Sequence, residues 1–138
     1  MIRTARVAAI AAVVSLGACT APTGPTEGRV EIGTWGGEHL RLEVTQAGAT
    51  TEFDCAHGTI DEPLVADRNG RFSAAGTHTF DHGGPIRNDE VPNRHPARYE
   101  GQAIGDTLQL TITVTDTSQV LGSFILMRGS VSRLLKCL

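Results

Sequence analysis

Apolar side chains recur every second residue along most of this chain, which is the period of a strand with one buried face. Leu40, Leu42 and Val44 alternate with Arg41, Glu43 and Thr45, and Leu108, Leu110, Ile112 and Val114 with Gln109, Thr111, Thr113 and Thr115. The Thr-rich polar face favours strand over helix. Phe53, Cys55 and His57 share a phase, which predicts that Cys55 and His57 point inward beside Phe53. Further strands are predicted at 71–80, 97–104 and 120–128, and the last, apolar on both faces, is expected to be covered on both sides. Ala47-Gly48, Asn69-Gly70 and Gly105-Asp106 fall between such runs and read as hairpin turns. About seven or eight short antiparallel strands joined this way make an up-and-down meander, which protects its edges by closing into a small barrel. The predicted fold class is therefore all-β, with no sizeable helix.

One segment breaks the pattern. From Asp81 to Pro96 there is no periodicity, and three prolines, two arginines, His82, His95, Asp81, Asp89 and Glu90 crowd together. A connection of this length is an unusual hairpin loop and a candidate functional flap over one barrel mouth.

The amino terminus is organised differently. Arg3 and Arg6 precede a run from Val7 to Leu16 that is apolar except at Ser15. That run is shorter than the ~20 residues that cross a bilayer, so it reads as a secretory leader. Its end, Leu16-Gly17-Ala18-Cys19, resembles the bacterial lipobox. The resemblance implies cleavage before Cys19, diacylglycerol on its sulfur and acylation of the new amino terminus. Several acyl chains anchor stably where one does not. The expected organisation is a signal peptide over 1–18, a lipidated cysteine and flexible tether over 19–29, and a barrel domain over 30–138. The tether, with Pro22 and Pro25, is expected to hold the domain off the lipid headgroups. Thr20 follows the cysteine where an inner-membrane retention signal places Asp, so in a cell with two membranes the outer one is implied. Otherwise it is the outer face of the plasma membrane.

Assigning Cys19 to lipid leaves Cys55 and Cys137, an even pair in an oxidising compartment and a predicted disulfide. Closing so long a loop contributes about 4–5 kcal/mol by chain entropy. Removing Arg3 and Arg6 from the 12 basic residues leaves ten against 15 acidic ones. That balance argues against nucleic acid as a partner.

Gly33-Thr34-Trp35 at the first barrel strand is similar to the Gly-x-Trp opening of lipocalins and avidins, which implies that Trp35 plugs one barrel end. The lipocalin Thr-Asp-Tyr loop is absent, and a single tryptophan gives no support for biotin.

Three functions follow as expectations. The leading one is a non-catalytic envelope module, with the barrel mouth or the 81–96 loop binding a small apolar ligand or an envelope protein. A metal-binding protein is the second, with ligands drawn from His57, His78, His82 and His95. His78 and His82, four apart on a strand, would sit about 13 Å apart unless the chain turns back. The third is a cell-envelope hydrolase or inhibitor, but no nucleophile elbow, phosphate loop or dinucleotide fingerprint is present, and Asp61-Glu62 before Pro63 reads as solvated charge in a turn. No enzyme activity and no cofactor are expected.

Overall fold

The computed structural model describes Gly17 and residues 28–138. The predicted leader apart from Gly17, the predicted lipidation site Cys19 and residues 20–27 of the expected tether lie outside the described residues. Ten strands run in chain order: β1 (Gly28–Arg29), β2 (Gly33–Gly37), β3 (Leu40–Val44), β4 (Ala49–Phe53), β5 (Ala56–Ile60), β6 (Val65–Ala66), β7 (Arg71–Phe80), β8 (Asn93–Ile104), β9 (Thr107–Val114) and β10 (Gln119–Arg128). Eight of them close an antiparallel barrel in the order β10-β2-β3-β4-β5-β7-β8-β9. β1 and β6 pair with each other beside it, so Gly28 and Arg29, read from sequence as tether, are ordered against Ala66 and Val65. No helix occurs among the described residues.

The meander gives the barrel two distinct ends. Segment 28–32, turn 45–48, connection 61–70 and turn 105–106 gather at the amino-terminal end. Turns 38–39, 54–55 and 115–118 and the loop over 81–92 gather at the other, the loop end. The hairpins expected from Ala47-Gly48 and Gly105-Asp106 are present, whereas Asn69-Gly70 forms a turn that leads from β6, paired only with β1, into β7, which pairs with β5 and β8. Gly70 and Gly105 have φ of 77° and 59°.

The lumen is filled by side chains. Trp35, Leu42, Tyr99, Leu110, Ile112 and Leu126 are fully buried in one cluster. Trp35 lies toward the amino-terminal end, and its indole N–H donates to the Glu31 carbonyl at 3.0 Å, satisfying the one polar atom it takes out of water. Tyr99 is also satisfied, donating to Thr77 O at 2.7 Å with Thr51 Oγ1 at 3.4 Å. Gly58 makes the room, since a Cβ there would lie 2.2 Å from the Tyr99 oxygen.

The barrel closes unevenly. All ten residues of β7 pair with β8, whereas β10 meets β2 only at Met127↔Gly36 and Arg128↔Trp35. The carboxyl-terminal tail reinforces that seam. Gly129 N donates to Thr34 O, Arg133 N to Gly37 O, and His39 N to Arg133 O. A Cβ on Gly36 would lie 2.1 Å from Ser130 O, so only glycine lets the tail pass. The tail then climbs to the loop end, where Leu135 N donates to Asp54 Oδ1 at 2.7 Å and Lys136 pairs with Glu52. It finishes in the Cys55–Cys137 disulfide, with Cα atoms 5.3 Å apart.

Two orientations differ from the sequence reading. Asp54 and Cys55 form a tight turn and not mid-strand residues, so the phase resets: Phe53 and Ala56 point in, while Cys55 and His57 are exposed. β10 is not covered on both sides, because Ile125 and Met127 on its outer face are exposed and the tail packs along β2 instead.

Candidate binding site

The loop end is closed by rings. Phe124 of β10, Phe53 of β4, His78 and Phe80 of β7 and His95 of β8 form a chain of edge-to-face contacts, with centroids 5.7, 5.0, 4.7 and 5.7 Å apart in that order. Such pairs add to simple burial because a ring edge meets a ring face. One of the two ligand sites considered from sequence, the barrel mouth, is thus occupied at this end by the protein's own side chains.

His78, directly opposite His95 across the β7–β8 ladder, is only 2% exposed, and its Nδ1 is buried without a hydrogen-bond partner. Burial lowers its pKa, with the neighbouring His57 and His95 adding to the effect and Asp81 opposing it. His95 sits at the rim, its Nδ1–H donating to Asp116 Oδ2 at 2.7 Å and its Nε2 lying 2.8 Å from Asn93 Oδ1. It belongs to β8, as does Pro96, so the irregular segment ends at residue 92. Pro96 is tolerated because it lies just past the last β9 pair, Ala97↔Val114, where its carbonyl accepts the Thr115 N–H and no strand needs its missing donor.

The loop over 81–92 leans on the outer rim, not across the mouth. Thr79, which alternation points outward, is buried, and it lines a depression of about 230 Å³ together with His57, Asp81, Ile86, Glu90 and Arg94. His57 Nδ1 donates to Asp81 Oδ2 at 3.0 Å on this outer face, which corrects its predicted inward placement. His82 pins the loop: Nδ1 donates to Gly83 O at 2.9 Å, and Nε2 donates to Glu90. With both ring nitrogens acting as donors the imidazolium is favoured, so the His82 pKa is raised, first by the Gly83 carbonyl and then by Glu90. Glu90 is correspondingly lowered by His82 and the Arg87 N–H. Beside the depression Ile86 and Val91 stand 81% and 85% exposed.

The four histidines considered from sequence therefore do not converge. His78 is inside, His95 at the rim, His57 on the outer sheet and His82 in the loop. Among the described residues no three His, Cys, Asp or Glu side chains are grouped to hold a metal ion. Sequence reading missed Thr79 as a site residue, because it pairs with Arg94 only once the 93–104 strand is extended back to Asn93, which the prolines obscured. It also missed the tail as a strap, for which the pairing of Cys137 was the one clue.

A second depression of about 550 Å³ lies at the amino-terminal end, lined by Val30, Trp35 and Ile104 with Arg29, Asp67 and Gln102. No protein-family model, no curated protein and no solved structure matches this chain, so its reading rests on its own residues.

Proposed function

We infer that this chain is a lipid-anchored envelope protein whose filled barrel is a rigid, non-catalytic scaffold presenting the 81–92 loop to a protein partner. The observation that carries this reading is the exposed Ile86 and Val91 beside a rim pocket, raised on a barrel whose inward side chains are buried in one packed cluster. A volume of about 230 Å³ falls below the ~300–1,000 Å³ of small-molecule sites. It matches one or two inserted side chains, the way protein interfaces anchor. Asp81, Glu90 and Arg94 around it supply charge that selects a partner more than it adds affinity. The lipobox resemblance at Cys19 supplies the address, and the Cys55–Cys137 bond agrees with an oxidising compartment. The Gly-x-Trp resemblance at Gly33-Thr34-Trp35 is compatible with a small barrel and a buried Trp35, and it carries no lipocalin-like ligand.

The test is a paired Ile86→Asp and Val91→Asp variant, isolated from native membranes beside the unaltered protein. The reading expects a stoichiometric partner to be lost from the variant while its melting curve is unchanged. An apolar small molecule retained by both proteins contradicts it, and so does a partner retained by both.

A further inference from the structure

The chain enters the barrel at Gly28, at the end opposite the 81–92 loop, and that entry end is rimmed by three outlying aliphatic side chains. Ile32 in the 30–32 connection is 53% exposed, Val65 of β6 is 63% exposed, and Ile104 at the end of β8 is 66% exposed. They come from three separate segments that the meander brings to one end. Ile104 borders the depression of about 550 Å³ there, and Val65 borders its neighbour. We propose that this end of the barrel is a membrane-contact surface, resting on the lipid bilayer with Ile32, Val65 and Ile104 at the headgroup boundary. This rests on the lipid-anchor reading and goes further: the barrel lies on the bilayer and is not held away from it.

Three observations support the lipid surface as the occupant. The first is reach. Only residues 20–27 separate Cys19 from Gly28, and a chain of that length reaches at most about 30 Å, at ~3.3–3.6 Å per residue. The entry end therefore stays within touch of the headgroups, at an effective concentration where even a weak apolar contact is populated. The second is charge. Arg128 lies 3.4 Å from Glu31 and 3.1 Å from Asp106, and Asp67 accepts the backbone N–H groups of Asn69 and Arg71. Arg128 offsets only one of the two carboxylates it touches, and the N–H bonds leave the Asp67 charge in place. Arg29, Arg68 and Arg71 border the same depressions, however, so this end carries both signs and is not a strongly anionic face. The third is position. With this end down, the 81–92 loop, the disulfide and the ring cluster all face away from the bilayer.

The mature acylated protein is placed in vesicles of phosphatidylethanolamine and phosphatidylglycerol, with a nitroxide introduced through Ile104→Cys, Val65→Cys or, at the far end, Ile86→Cys. Labels at 104 and 65 are expected to be reached more readily by dissolved oxygen than by a water-soluble nickel chelate, and the label at 86 to show the reverse. A paired Val65→Asp and Ile104→Asp variant labelled through Ile32→Cys is expected to keep its acyl groups and lose the oxygen preference at 32 at least tenfold. Acylated protein whose labels at 104 and 86 are equally open to the chelate overturns the inference alone. Mass spectrometry showing an unacylated Cys19 overturns the anchor reading and this inference with it.

Discussion

The two ends of this barrel are closed by different chemistry. At the amino-terminal end a single large ring, Trp35, fills the lumen and hands its one polar atom to Glu31 O, while aliphatic side chains stand out around it. At the loop end five rings interlock, two of them imidazoles. Around them lies a rim of titratable pairs, His57–Asp81, His82–Glu90 and His95–Asp116, with a disulfide and a strap holding the turns. The first end suits a continuous, weakly structured surface, because apolar contact makes no directional demand. The second suits a particular partner, because each charged group is positioned by another.

The largest expected effect falls on the loop end. Reducing Cys55–Cys137, or replacing both cysteines by Ser, is predicted to cost about 4–5 kcal/mol, because the bond spans 82 positions of sequence. Chemical denaturation should show the loss, and hydrogen exchange should show His39, Arg133 and Leu135 losing protection before β7 and β8 do. Equal loss in the long ladder would mean that the strap does not close the seam.

Trp35→Ala attacks the opposite end and is expected to cost about 3–5 kcal/mol, the range for emptying a large buried ring site. If thermal melts shift no more than for an exposed substitution, Trp35 is no plug.

A smaller effect, confined to the loop end, appears with pH. His78 is held neutral by burial, its pKa below the ordinary 6.5. As pH falls through 6.5 the unfolded chain binds a proton that the folded chain refuses, so stability drops until the folded value is reached and then levels. His82 works in the opposite sense. Its pKa is raised, so its contribution is complete below 6.5 and fades as pH rises through the folded value. His78→Phe removes the orphaned Nδ1 and should flatten the acid limb of a stability-against-pH curve, leaving the His82 limb in place. An unchanged acid limb contradicts the assignment. The smallest stability effect is expected of the Ile86→Asp and Val91→Asp pair, within about 0.5 kcal/mol, since neither side chain is packed.

Much of this architecture was legible in the residues. The alternation at Leu40–Val44 and at Leu108–Val114, the glycine turns, barrel closure and the cysteine pairing all follow from local rules that the three-dimensional packing does not contradict. The orientation of Cys55 and His57 did not follow. Period two runs unbroken through Phe53, Cys55 and His57, and a turn at Asp54-Cys55 without Gly or Pro leaves no local mark. The turn is held from a distance, by Leu135 N and His39 bonding to Asp54 and by Cys137. Burial of His78 was hidden for a related reason, because of the two rings against it only Phe80 is local, while Phe53 comes from β4.

The most direct measurement places a photo-activated crosslinker at position 86 and, separately, at position 104 in living cells. At position 86 one protein adduct of discrete mass is predicted, and at position 104 adducts to phospholipid with little protein. Lipid adducts at 86, or the same protein captured from both positions, would contradict the division of labour between the two ends.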